Sequence, residues 1–320
     1  MAESRLQKEL IFACRGVRYF CHKMTSMAKL FLMLTALSFF ACKVTENKPV
    51  PVPAGFDWQG HRGCRGLLPE NSIPAFLHAL DFPSVKTLEL DLAVSKDNQL
   101  IVSHEPYFNP DICLKPDGAP FRKEDKYLLY QLTAAEIRAF DCGSVGNPRF
   151  PNQQNIPTCK PTFGAVVAAV HAKNPDIHWN IEIKSQPEWD GVYHPPVADF
   201  VRLVVTELRR LHLEKMVVVQ SFDVRALEQM HQQAPDIALA YLVENMASFP
   251  ENMAKITFVP AIFSPYYLTV SQKTVRQCHG KNMKLIPWTV NDVSAMRRLI
   301  RLGVDGIITD YPDKIQKVGS

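Results

Sequence analysis

From residue 56 onward, short apolar runs alternate with longer amphipathic ones, and this alternation restricts the fold more than any other feature. The strand-like runs are Phe56–Gly60, Val85–Leu92, Leu100–Ser103, Ile177–Ile183, Met216–Gln220, Ile237–Val243, Phe258–Phe263, Leu285–Thr289 and Gly306–Thr309. Between them lie helix-like runs at Ser72–Leu80, Thr133–Phe140, Phe163–Ala172, Pro196–Leu211, Val224–Gln232, Thr269–His279 and Asp292–Leu302. Several open on capping signals: Asn71 or Ser72, Thr133 with Glu136 three residues on, Thr162, and Asn291. Strands separated by helices pair in parallel, so an α/β fold is expected. The span of about 265 residues suits a (β/α)8 barrel. Nine strand candidates compete for eight places. The Ser95–Gln99 link is too short for a crossover helix and carries Asp97-Asn98, which suits a turn. The second and third strands should therefore form a hairpin, and the expected fold class is an irregular (β/α)8 TIM-type barrel. Residues 105–160 are weakly periodic and rich in Pro, Asn and Asp. They read as an insertion over one barrel end, carrying one helix.

The N-terminal stretch reads as an address rather than as fold. Leu30 to Ala41 is nearly unbroken in apolar character, follows Lys29 and precedes Cys42. It is short for a membrane span and fits the apolar region of an export signal. Met27 or Met24 could be the true start. Phe39-Phe40-Ala41-Cys42 resembles a bacterial lipoprotein cleavage box, although Phe39 is a poor match to the usual Leu. The layout expected is a leader over 1–41, a Pro-rich tether over 42–54 and a barrel over 55–320. Cys42 would be a lipid anchor, and the protein an exported, periplasmic or cell-surface lipoprotein. Of the cysteines beyond it, Cys113, Cys142 and Cys159 lie in or near the insertion, where one pair could bridge. The formal charge of +4 belongs to the leader, with six basic and two acidic residues in 1–41. The remainder carries 36 − 6 = 30 basic and 32 − 2 = 30 acidic residues, a balance that argues against nucleic acid as a partner.

Polar residues recur at the ends of the strand-like runs. His61-Arg62-Gly63 follows the first, and His104 follows the third. Glu89 and Asp91 are two apart among Leu88, Leu90 and Leu92. Glu182 and Lys184 repeat the pattern beside Ile181 and Ile183. Strand side chains repeat every two residues, so each polar pair shares a face. The C-terminal ends of barrel strands form the active face. Three carboxylates there would repel one another by about 4 kcal/mol per pair at about 4 Å, with an effective dielectric of about 20. A divalent cation relieves that repulsion, and all-oxygen ligation favours Ca²⁺ or Mg²⁺ over zinc. Two histidines can accept and donate protons near neutral pH. Arg62 and Lys184 add the positive charge that phosphoryl transfer uses.

These residues fall within a longer series of motifs: Gly60-His61-Arg62-Gly63, Pro69-Glu70-Asn71-Ser72, Ala75-Phe76, Glu89-Leu90-Asp91 and Ile101-Val102-Ser103-His104. Ile181-Glu182-Ile183-Lys184, Gln220-Ser221-Phe222-Asp223, Pro287-Trp288-Thr289-Val290-Asn291 and Gly306 to Pro312 continue it. Together, over about 56–315, they make the chain resemble the glycerophosphodiester phosphodiesterase family. The resemblance implies metal-dependent hydrolysis of a small phosphodiester to glycerol 3-phosphate and an alcohol. It places metal ligands on Glu89, Asp91 and Glu182, and the acid and base on His61 and His104. Phosphate contacts fall on Arg62 and Lys184. Glu70 would support the first histidine or the metal, and Phe222 and Trp288 would wall the glycerol or head group. Two features depart from the pattern: Glu105 stands where Asp is usual, and Cys64-Arg65-Gly66 follows the first motif. The alternatives are cleavage of intact lipids or lysolipids by related chemistry, and a non-catalytic binding barrel. The polar insertion favours soluble head groups.

Overall fold

The computed structural model describes residues 48–320, Lys123 excepted; the expected leader and Cys42 lie outside the described residues. Nine strands are present among them: β1 (Asp57–Gly60), β2 (Val85–Val94), β3 (Leu100–Val102), β4 (His178–Ile183), β5 (Val217–Ser221), β6 (Ala238–Val243), β7 (Ile262–Pro265), β8 (Lys284–Leu285) and β9 (Gly306–Thr309). The helices are α1 (Ile73–Ala79), α2 (Ala134–Ile137), α3 (Phe163–His171), α4 (Val197–Arg210), α5 (Val224–Gln233), α6 (Phe249–Met253), α7 (Gln272–His279) and α8 (Val293–Leu302). The sheet runs β8-β7-β6-β5-β4-β2-β1-β9, every neighbour parallel, with β3 appended antiparallel to β2. Backbone hydrogen bonds from Asp305 N to Leu285 O (3.0 Å), Ile308 N to Pro287 O (3.1 Å) and Val290 N to Ile308 O (2.9 Å) join its two edges. The expected TIM-type barrel is therefore present. So is the β2–β3 hairpin, which turns at Asn98 with φ of 57°.

The two-residue period sorts the strands into two environments. Leu88, Leu90, Leu92, Trp179, Ile181, Ile183 and Val219 face outward, into the layer beneath α1, α3, α4 and α5. The intervening residues point into the barrel, and there the lining is split. Around β1, β2, β4 and β5 it is polar: Asn180 donates to Gln59 Oε1 (2.7 Å) and Gln220 Oε1 (3.1 Å), and Gln220 donates to Glu89 Oε1 (3.0 Å). Around β6 to β9 it is apolar, with Ala240, Ile262, Ile286 and Ile308 packed together. The amide donors of Asn180 and Gln220 find partners there, while Asn180 Oδ1 is buried without one.

Caps set several helix starts. Ser72, Thr133 with Glu136, and Thr162 cap α1, α2 and α3 as their sequence signals indicate. Asn291 does not cap α8. Asp292 does, accepting from Ser294 N and Ala295 N, while Asn291 turns to Asp310. The helix expected from Thr269 begins at Gln272, after a 3-10 turn over Tyr267–Thr269. The seventh strand starts later than its apolar run, and the eighth keeps two residues because Pro287 interrupts it. Helix α6 was not expected, although Ser248 and Glu251 form a capping box that announces it.

The insertion holds the short α2 and packs a small core against Ala93 of β2 and Ile101 of β3, in which Phe108 stacks on Phe140 at 3.9 Å. Cys113 is bonded to Cys142 across 29 residues, leaving Cys64, Cys159 and Cys278 as free thiols among the described residues. Replacing both bridged cysteines with serine should lower stability by about 3 kcal/mol through the freed loop. A urea titration of the double variant checks this. An unchanged midpoint would mean that the insertion unfolds independently of the barrel.

Candidate active site

Two glycines allow the first motif to turn sharply off β1. A Cβ on Gly60 would sit 2.3 Å from Gly63 O, and one on Gly63, at φ of 83°, 2.7 Å from the Ala75 backbone. The turn places Arg62 at φ of 50° and lets its N–H donate to Glu89 Oε2 at 2.9 Å. Asn71, at φ of 55°, donates through Nδ2 to Asp91 Oδ2 at 2.9 Å. Two residues in the left-handed region thus serve as donors to carboxylates of β2, and that service accounts for the strain.

Glu89, Asp91 and Glu182 converge: one oxygen from each lies within 4.8 Å of the others, and all three residues are buried. Burial and the neighbouring Asp91 charge push the Glu89 carboxyl well above its ordinary range. Burial likewise raises Glu182, against the pull of Lys184. Burial alone would raise Asp91 too, but Arg62, His104 and Lys184 hold it far below the usual carboxylate range. Asp91 Oδ1 is buried with no hydrogen-bond partner. A cluster of acceptors with an orphaned oxygen fits a hard divalent cation ligated by oxygen.

Positive charge surrounds the cluster. Arg62 Nη1 donates to Glu70 Oε1 at 2.6 Å, and its Nε lies 3.1 Å from Asp91 Oδ2, at an angle that makes no hydrogen bond. Glu70 pairs with Arg62 and, at 3.7 Å, with Arg65. It forms no ion pair with His61 and stands outside the carboxylate cluster, so its contact is with the arginines rather than with the first histidine or the metal site. Lys184 Nζ sits 2.9 Å from Glu182 Oε1 and 5.8 Å above the Phe222 ring.

Both histidines line the cavity beside the cluster. His61 Nδ1 is 2.6 Å from Asp310 Oδ1, and its Nε2 is 3.8 Å from Glu89 Oε2. Arg65 grips both oxygens of Asp310 (3.0 and 3.2 Å), and Asn291 Nδ2 donates to Oδ2 at 2.7 Å. A carboxylate so held accepts from Nδ1–H and leaves Nε2 as the free lone pair. Burial lowers His61 to about 4 in spite of Asp310. His104 Nδ1 meets Glu105 Oε1 at 3.0 Å, at the half-exposed rim. Burial alone would raise Glu105, but the His104 ring, with Lys160 and Arg62, brings it down to about 2.

His61, Arg62, Glu89, His104, Glu182 and Lys184 line one cavity of about 1140 Å³ at the C-terminal end of the barrel. Asp91 lies beside it, fully buried. Phe222 and Trp288 also line it, edge to face at 5.3 Å, and Trp288 Nε1 is fixed to Ser264 O at 2.8 Å. Sequence reasoning gave no part in the site to Asp310, Arg65, Asn71 or Gln220, and gave Asn71 only a possible helix cap. The motif around Asp310 was visible, but its partner His61 is 249 residues away and nothing local joins them.

A barrel whose mouth gathers acceptor carboxylates, cationic side chains and two oriented imidazoles is built for metal-assisted hydrolysis of an anionic ester. Residues 61–314 match the glycerophosphoryl diester phosphodiesterase family, and the chain belongs to it. It is thus a phosphoric diester hydrolase, acting on glycerophosphodiesters and using a divalent metal. Curated relatives include a glycerophosphodiester phosphodiesterase of Caldanaerobacter subterraneus. It is 29% identical over 255 residues, covering 80% of this chain and 94% of that protein. Another from Bacillus subtilis is 29% identical over 81% of this chain and 84% of its own. Among solved structures, a Silicibacter pomeroyi protein assigned as a glycerophosphoryl diester phosphodiesterase superposes with a TM-score of 0.74. It has 28% identity and covers 86% of this chain and 96% of that one. An Oleispira antarctica phosphodiesterase, solved with the product sn-glycerol-3-phosphate, shares the fold at 22% identity and a TM-score of 0.66. That match covers 83% of this chain and 96% of the other.

Proposed function

We propose that the chain cleaves glycerophosphodiesters to glycerol 3-phosphate and a free alcohol by paired histidine catalysis. The observation that carries this reading is a cluster of three buried carboxylates, two of which line a single cavity with both histidines. His61 Nε2 takes the proton of the attacking water or of the substrate's own glycerol hydroxyl, its ring oriented by Asp310. His104, with Nδ1 turned to Glu105, presents Nε2 to the departing oxygen and protonates it. Arg62 and Lys184 offset the phosphate charge, and Phe222 and Trp288 exclude water along one wall. Glu89, Asp91 and Glu182 would hold the cation, Ca²⁺ or Mg²⁺, whose chemistry when bound is to polarise a phosphoryl oxygen.

Incubation of residues 43–320 with glycerophosphocholine should release glycerol 3-phosphate. EDTA should lower that release at least about 100-fold, and Ca²⁺ or Mg²⁺ should restore it. Release that persists unchanged in a metal-stripped protein would sink the ligand assignment.

One observation favours a second substrate class. Phe222, which lines the cavity, and the exposed Met246 (91%) and Leu268 (62%) follow β5, β6 and β7, apolar side chains on loops after the C-terminal ends of these strands. A single acyl chain could lie along them, so lysophosphatidylcholine belongs in the same assay. A human relative, 23% identical, is called lysophospholipase D. Export and anchoring through Cys42 are inferred from the apolar run before it, and the disulfide suits an oxidising compartment. Among the described residues no helix is long and apolar enough to cross a membrane. Mass spectrometry of the mature N-terminus tests the anchor, since an unmodified Cys42 excludes it.

A further inference from the structure

Lys160, the last residue of the insertion, is an ammonium in a place where an apolar side chain would be cheaper. It is 9% exposed, and its Nζ lies 5.8 Å above the Phe108 ring. Its hydrogen bond goes to Ser103 Oγ, at 2.7 Å. Ser103 passes this on: its hydroxyl donates to Glu105 O at 2.6 Å, while its N–H donates to Asp91 O at 2.9 Å. His104 sits between these two residues, and its Nδ1 faces the Glu105 carboxylate. Burial brings the Lys160 ammonium below its ordinary range, against the pull of Glu105 and Glu70, and Arg62 lowers it further. Lys160 and His104 line one cavity of about 10 Å³, with Glu70 and Asn71.

We propose that Lys160 is a positioning residue for His104. It anchors the Ser103–Glu105 turn, so that Glu105 meets His104 Nδ1 and the ring presents Nε2 to the leaving oxygen. The inference rests on His104 being the general acid. The geometry supports it over simple closure of the insertion's base, which has its own backbone ties: Val102 N donates to Pro161 O at 2.8 Å, and Ile101 bridges Thr162. A base so closed needs no buried charge. An ammonium is needed only if the turn beside it must carry a carboxylate in a low-dielectric site.

The test uses two substrates that share the glycerol phosphate half. Choline leaves glycerophosphocholine poorly without a proton, whereas p-nitrophenol leaves the p-nitrophenyl glycerol phosphate diester unaided. Lys160→Met should lower kcat for glycerophosphocholine about 10- to 100-fold and change kcat for the nitrophenyl ester less than about 3-fold. KM for both should hold, and Lys160→Arg should recover most of the loss. Equal losses on the two substrates, or no loss on either, would overturn the proposal. If Lys160→Met does not fold, Ser103→Ala removes the same link and should show the same selectivity at smaller amplitude; its failure to do so counts equally against. His104→Ala separates the layers. Selectivity in His104→Ala but not in Lys160→Met overturns only the positioning role. Its absence from His104→Ala overturns the acid assignment, and this proposal with it.

Discussion

His61→Ala should fold like the parent and lose about 10³-fold in kcat on glycerophosphocholine, because the proton acceptor closest to the carboxylate cluster is gone. The ring is held from one side only, by Asp310, so its removal leaves the barrel walls and the carboxylates in place. A second readout accompanies the first. The folded His61 titrates near 4 against an ordinary 6.5, so between those values the unfolded chain binds more protons than the folded one. Stability of the metal-free protein therefore falls as pH is lowered through that window, and His61→Ala should flatten that slope. Circular dichroism, steady-state kinetics and denaturation at pH 4 to 7 check the three parts. Activity within about tenfold of the parent would remove His61 from the chemistry.

Asp310→Asn should be nearly as damaging, about 10²- to 10³-fold in kcat, without touching a reacting atom. An aspartate accepts from Nδ1–H of His61. An asparagine amide can donate to Nδ1 instead, and the free lone pair then moves away from Nε2. Arg65 also loses the carboxylate it grips with two hydrogen bonds and keeps only the longer pair with Glu70 at 3.7 Å. His61→Ala and the His61→Ala, Asp310→Asn double variant should be almost equally inactive, since Asp310 works through the ring. Additive losses in that pair would mean that Asp310 acts on the substrate by another route.

The two residues differ in how visible they were beforehand. His61 stands in a Gly-His-Arg-Gly turn at a strand end, a signal contained within four residues. Glu89, Asp91 and Glu182 were equally legible, because a two-residue period among leucines and isoleucines already tells which side chains leave the apolar layer. Asp310 lies in a recognisable stretch, but its role depends on β9 lying beside β1, a pairing made when the first and last strands of the barrel meet. Asn291 shows the opposite error. Its neighbours suggest a cap, while the structure spends its side chain on Asp310 and leaves the helix start to Asp292. Glu70 follows a motif that suggested support for a histidine or a metal, and it holds the two arginines.

The sequence by itself determined the alternation of strands and helices, the β2–β3 hairpin, the face each carboxylate occupies and the family. All of these are written in periodicities and motifs that span a few residues to a few turns. The tertiary structure alone decided which polar groups touch across the mouth. It set Asp310 against His61, Asn71 against Asp91, Gln220 against Glu89, and Lys160 against the turn that carries His104. Such pairs come from closing a ring of strands, which makes neighbours of residues that no local pattern connects. Inside that ring a buried polar group must find whichever partner the closure brings to it.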